Sequence, residues 1–191
     1  MQYKRFLAAL TAVILLFSFT ACKKEPEVPY YPANPNEEFV LDIFASEEMI
    51  GVMSDIVYRY STYAPRASVR ITYDEGAILA AKIEAGTPCD IYVSDEVRFM
   101  DWLDPECGEE KNPNKNDKIV PETRAEFAEG PGNEKYAQEE LAEDEVYTTT
   151  FSVAVCRATA LSYESEQFIK FMLSDEVKDI YETYGFSRIE E

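Results

Sequence analysis

Between Phe39 and Leu103, short apolar runs alternate with stretches whose apolar residues recur every three or four positions. This alternation constrains the fold more than any other feature of the chain. Phe39 to Ala45 (FVLDIFA) reads as a strand. After Ser46, residues Met49, Ile50, Met53, Ile56, Val57 and Tyr60 fall on one helical face, and Pro65 ends that helix. Val69 to Tyr73 reads as a second strand. Gly76 to Ala85 reads as a helix closed by Gly86-Thr87-Pro88, Asp90 to Ser94 as a third strand and Asp95 to Leu103 as a third helix. The order β-α-β-α-β-α predicts an α/β fold with a mostly parallel sheet and flanking helices.

The pattern weakens beyond Leu103. Pro105 to Asn116 is polar and reads as loop. Asn112, Asn114 and Asn116 alternate as in a calcium loop but lack its carboxylates and glycine, so no metal site is assigned. Lys118 to Gly132 has no clear period. Glu134 to Glu143 reads as an exposed helix, Thr148 to Arg157 as a strand, and Glu164 to Leu173 and Asp175 to Tyr184 as helices ending at Gly185.

Composition removes several functions. The chain has 191 residues, a formal net charge of -19 and no His. A nucleic-acid partner demands a basic face, which this balance opposes. Without His, neither a His-containing triad nor a histidine-bearing zinc site can form. The seven glycines include no G-x-G-x-x-G or G-K-[ST] loop. Asp101 with Asp104, and Glu164 with Glu182, have the spacing of solvated helix faces, and the chain is not read as an enzyme. No cofactor is implied.

Lys4 and Arg5 precede an apolar run from Phe6 to Phe19, too short for a good membrane span and suited to a signal peptide. Phe19-Thr20-Ala21-Cys22 resembles a bacterial lipobox. The resemblance implies a lipoprotein signal peptide over 1–21, cleavage before Cys22 and lipidation of that cysteine. The other reading is an ordinary signal peptide cut nearby. Residues 22–38 form a Pro-rich tether in which Pro26, Pro29, Pro32 and Pro35 recur at the polyproline II period. At ~3.1 Å per residue such a spacer reaches about 45 Å.

Ile78 to Leu103 (ILAAKIEAGTPCDIYVSDEVRFMDWL) resembles the periplasmic molybdate-binding protein of ABC transporters, whose pattern there is A-x-I-E-x-G-x-P-x-D followed by S-A-D-x-x-x-M-D. Tyr136 to Leu141 is similar to that family's Y-A-x-E-x-L helix. Phe168 to Phe186 is similar to its F-x-x-F-L-x-S…I-x-x-x-Y-G-F ending. The resemblance implies a periplasmic-binding-protein-like fold of two α/β lobes, with an oxyanion held between them by hydroxyls and backbone N–H groups at helix starts. The first lobe would comprise 39–104 and 148–191. The second, 105–147, is reduced, because the stretch before Thr148 is short. The hinge would lie near 104–118 and 144–150.

On this resemblance the ligand-binding positions are Ser46, Gly76 and Phe151. Ser46 also reads as a helix N-cap. Gly76 stands where the family has a second serine, and Phe151 where it has a tyrosine, so two hydroxyls are lost. Glu47, Glu48, Asp74 and Glu75 add acids beside the proposed site. One carboxylate ~6 Å from a bound anion opposes it by about 3 kcal/mol at an effective dielectric of ~20. These departures predict weak or no molybdate binding.

The implied function is a lipid-anchored, extracytoplasmic solute-binding protein of an ABC transporter, of the molybdate or oxyanion type. Its partners would be a small oxyanion or other small solute, an ABC permease and the membrane through its lipid; it would be a monomer. The alternative is a ligand-free surface lipoprotein serving as a binding or accessory module. A cation or neutral solute is a third reading that suits the acids. Export permits disulfides among Cys89, Cys107 and Cys156, with the Cys107–Cys156 pairing and a buried, unpaired Cys89 both open.

Overall fold

The computed structural model describes residues 37–137, 140–142 and 145–189. The signal peptide, Cys22 and nearly all of the tether lie outside them. No described helix is long and apolar enough to cross a membrane.

Six strands form one sheet in the order β2-β1-β3-β5-β4-β6. Its parallel part is β2-β1-β3. β1 (Phe39–Ser46) pairs in parallel with β2 (Ala67–Asp74), from Phe39 opposite Ala67 to Ser46 opposite Asp74. β3 (Ile91–Ser94) pairs with the other edge of β1. Helices α1 (Ile50–Tyr60) and α2 (Gly76–Glu84) make the two crossovers, and α3 (Val97–Leu103) follows β3. β4 (Ala125–Pro131) and β5 (Thr148–Val155) form an antiparallel pair with an irregularity between Glu126 and Ala128. β5 inserts antiparallel beside β3, so β4 runs in the direction of β1 to β3. Helices α4 (Ser162–Met172) and α5 (Lys178–Thr183) lead to the two-residue β6 (Ser187–Arg188), which pairs with β4.

The sheet lies between two helical layers. On one face Leu41, Ile43, Val93, Phe127, Phe151 and Val153 pack under α1, α4 and α5. On the other, Phe44, Tyr92 and Ala154 pack under α2 and α3 through Leu79, Ile83, Phe99 and Leu103. Period-two alternation sends neighbouring residues to opposite layers.

All described strands belong to this sheet. The stretch 105–147, assigned from the sequence to a reduced second lobe, contributes β4 to it. Its other described residues are turns and irregular chain with an isolated bridge from Ile119 to Cys156, a 3-10 turn at Pro121–Thr123 and another at Glu134–Tyr136. No second sheet occurs among the described residues. Of the helix expected over Glu134–Glu143, the described residues form the 3-10 turn at Glu134–Tyr136, where Asn133 caps by accepting from the Lys135 N–H and Ala137 is already extended; residues 138, 139 and 143 lie outside the described residues.

Candidate functional site

β1, β2 and β3 end side by side at Ser46, Asp74 and Ser94. In α/β sheets a ligand crevice forms beyond such carboxyl ends. Here α2 begins two residues after β2, bringing the start of a nine-residue helix to the same edge. The first N–H groups of a helix have no partner within it and carry a partial positive charge.

Ser46 is fully buried and committed to Asp95. Its hydroxyl donates to Asp95 Oδ1 at 2.9 Å and accepts from the Asp95 N–H at 2.9 Å. It makes no capping bond to the 3-10 turn Glu47–Met49, so the N-cap reading is corrected. Gly76 meets the same carboxylate: a β-carbon built there would fall 2.1 Å from Asp95 Oδ1 and 3.1 Å from the Phe99 ring. Asp95 therefore fills the space that a side chain at position 76 would take. The buried Tyr92 phenol fixes this corner by donating to the Gly76 carbonyl at 2.8 Å. Thr149 holds the Asp95 carbonyl from β5.

Phe151 does not join Ser46 and Gly76. It lies on the opposite face of the sheet with its ring 5.1 Å from that of Phe186 and 6.5 Å from that of Phe127. Ser46 falls in alternation with Phe44 on the α2 and α3 face, whereas Phe151 falls with Val153 and Val155 on the other. Its assignment as a ligand contact is corrected to a core residue.

Of the expected acids, Glu48 and Glu75 lie here with Asp95, whereas Asp74 is paired with Lys82 at 2.7 Å and Glu47 is exposed. Burial pushes the Glu48 carboxyl up to about 7; a backbone hydrogen bond opposes this, and Asp95, Glu47 and Glu75 add repulsion. Burial also raises Asp95, against the hydrogen bond from Ser46. Asp95 Oδ2 and Glu48 Oε2 are buried without a hydrogen-bond partner in the protein. Glu75 is better served, by Lys135 and by the Tyr136 hydroxyl at 3.3 Å. Arg98 lies 4.9 Å from the centres of both the Phe99 and Tyr136 rings, completing a cover over this edge. Beside it a cavity of about 350 Å³ is lined by Glu96, Val97, Arg98, Glu129 and Thr148 to Thr150. Among the described residues, no group of three His, Cys, Asp or Glu could hold a metal ion.

Two other clusters are structural. Asp101 and Asp104, read as solvent-facing, are buried and joined by Arg124 at 2.5 and 2.8 Å. Asn112 ties the following loop by donating to the Asp104 and Asn116 carbonyls. Cys89 and Cys156 are buried neighbours, and Cys107 lies apart beside Arg124.

Asp95 and Tyr92 are the site residues that sequence reasoning missed. On the resemblance, Asp95 falls at the alanine of the S-A-D pattern and Gly76 at a serine, which was the available signal. No local period reports that the two positions touch.

No protein-family model and no curated protein sequence matches the chain. Solved structures do. A substrate-binding domain assigned to a molybdenum ABC transporter of Clostridium difficile aligns over 79% of this chain and 99% of its own, with TM-score 0.61 and 16% identity. The periplasmic molybdate-binding protein of Azotobacter vinelandii aligns over 78% and 100%, with TM-score 0.59 and 11% identity. The sulfate-binding protein of Mycobacterium tuberculosis aligns over 80% and 88%, with TM-score 0.58 and 7% identity. At these identities the likeness is one of architecture, and the chain has a fold like that of periplasmic solute-binding proteins.

Proposed function

We propose that this chain is an extracytoplasmic solute-binding protein working with an ABC permease, held at the membrane through lipid on Cys22. The observation that carries the reading is the meeting of Ser46, the start of α2 and the end of β3 at one edge of the parallel strands. The adjoining cavity of about 350 Å³ is large enough for a small solute and carries Arg98, two glutamates and three threonines. The similar solved structures are named for molybdate, molybdenum and sulfate, which supports a small-solute role. The carboxylates of Glu48, Glu75 and Asp95 at this edge oppose an oxyanion here.

A thermal-shift screen of the mature chain against oxyanions, divalent cations and sugars tests this. A ligand at a hundred times its dissociation constant adds ~2.7 kcal/mol, a clear rise in melting temperature. Unmoved curves across all three classes would refute solute binding. They would favour the second reading, a ligand-free surface lipoprotein, which the filling of the Ser46–Gly76 space by Asp95 supports.

A further inference from the structure

We infer that the Asp95 carboxylate is a built-in occupant of an oxyanion position, and that it sets the specificity of this site against free tetrahedral anions. The inference rests on the solute-receptor reading of the site and deepens it.

Three observations converge. First, Asp95 Oδ1 takes the Ser46 hydroxyl, a donor that a bound anion at this edge would otherwise use. Second, the same oxygen lies against Gly76 at the start of α2, where an anion would meet the helix N–H groups and their partial positive charge. Glu75, the N-cap of α2, makes no side-chain capping bond, so its own carboxylate does not occupy that place. Third, Asp95 is fully buried, and its other oxygen, Oδ2, has no hydrogen-bond partner in the protein. A buried carboxylate used only for packing would be costly with half of its acceptors unanswered.

Positions 76 and 95 form a matched exchange. The resemblance sets serine at the first and alanine at the second, whereas this chain has Gly76 and Asp95. The polar group has moved from one side of the contact to the other and gained a full charge. Only glycine at 76 leaves room for it, because a β-carbon would stand 2.1 Å from Oδ1. A free oxyanion would therefore have to displace Asp95 and then lie beside its charge.

Isothermal calorimetry with sodium molybdate and sodium sulfate tests this on the full mature chain, its D95A variant and the G76S/D95A double variant. The wild type should give no heat, and D95A should bind at least one of the two anions about a hundredfold tighter than the wild-type detection limit. G76S/D95A should bind tighter still. Folded variants that remain silent would overturn the proposal, as would wild-type binding equal to that of D95A. Should D95A fail to fold, wild-type crystals soaked in molybdate decide. Asp95 seated on Ser46 with no molybdenum anomalous signal there is the expected result, and an anion on Ser46 with Asp95 turned away overturns the proposal. The outcome is separable from the transport reading: D95A can gain an anion while the wild type answers no solute in the screen, and then only the transport reading fails.

Discussion

Cys89 and Cys156, 67 residues apart in sequence, hold their sulfurs 3.5 Å apart where β3 begins and β5 ends. The Cys156 N–H donates to the Asp90 carbonyl at 2.8 Å, which fixes the two ends beside one another. Burial, and then the neighbouring Cys156 sulfur, push the Cys89 thiol well above its usual range, so thiolate attack is slow. Treatment with diamide should join Cys89 to Cys156 slowly and leave Cys107 open to alkylation. Peptide mapping under non-reducing conditions checks this, and a Cys107–Cys156 bridge as the main product would contradict it.

Removal of Arg124 should be among the most damaging single changes. Its guanidinium joins Asp101 and Asp104, both buried, and Lys111 assists at Asp101 from 2.9 Å. Burial works against charge on Asp101, yet the hydrogen bonds from Lys111 and Arg124 hold its carboxyl below the usual range. Taking one partner from a buried ion pair costs about 3–5 kcal/mol. R124A should lose that amount in urea unfolding, and R124K should recover only part of it because lysine cannot bridge two carboxylates as a fork.

Stability should rise as pH falls from about 7.5 to about 5. The folded-state carboxyl of Glu48 titrates near 7 against an ordinary 4.5, so between those values the folded chain binds the extra proton. Asp95 shifts in the same direction. Carboxyls held below 3.8 work the other way: Asp74 through Lys82, Asp179 through Arg59, and Asp101. Their contribution is lost only as pH drops through that lower range. Melting temperature followed against pH should peak near 5, and E48Q should flatten the slope above the peak. A slope unchanged by E48Q would remove Glu48 as its source.

F151Y should destabilise the fold by ~1–3 kcal/mol, because its hydroxyl would enter a core of Phe127 and Phe186 without a partner. F151L should be tolerated better. Neither should alter solute binding. A stabilised F151Y, or one with changed ligand response, would return position 151 to the site.

Much of the parallel half was legible because its elements carry their own period. FVLDIFA and DIYVS are short apolar runs bounded by turn residues, and α1 repeats its buried positions Val52, Met53, Ile56 and Tyr60 at helical spacing. β4 was not legible. Only Phe127, Ala128 and Gly130 are buried in it, an irregularity follows Glu126, and Gly130 and Pro131 close it with turn-forming residue types. The segment after Asn133 carries a helical pattern, yet Lys135 and Tyr136 are engaged by Glu75, and α-helix does not form there among the described residues. The site itself was half legible. Ser46 and Gly76 were found, but the residue uniting them is 49 positions from Ser46, and such a meeting leaves no trace in a local window. Phe151 was misplaced because a motif position does not report which face of a strand it occupies.

The fit between Gly76 and Asp95 also orders the mutational routes open to this chain. A methyl at 76 introduced first would collide with the acid 2.1 Å away, whereas losing the acid first leaves a vacancy that the second step can fill. The two orders are unequal in difficulty, so variants that reach a serine at 76 should pass through a small residue at 95 before any side chain appears at 76.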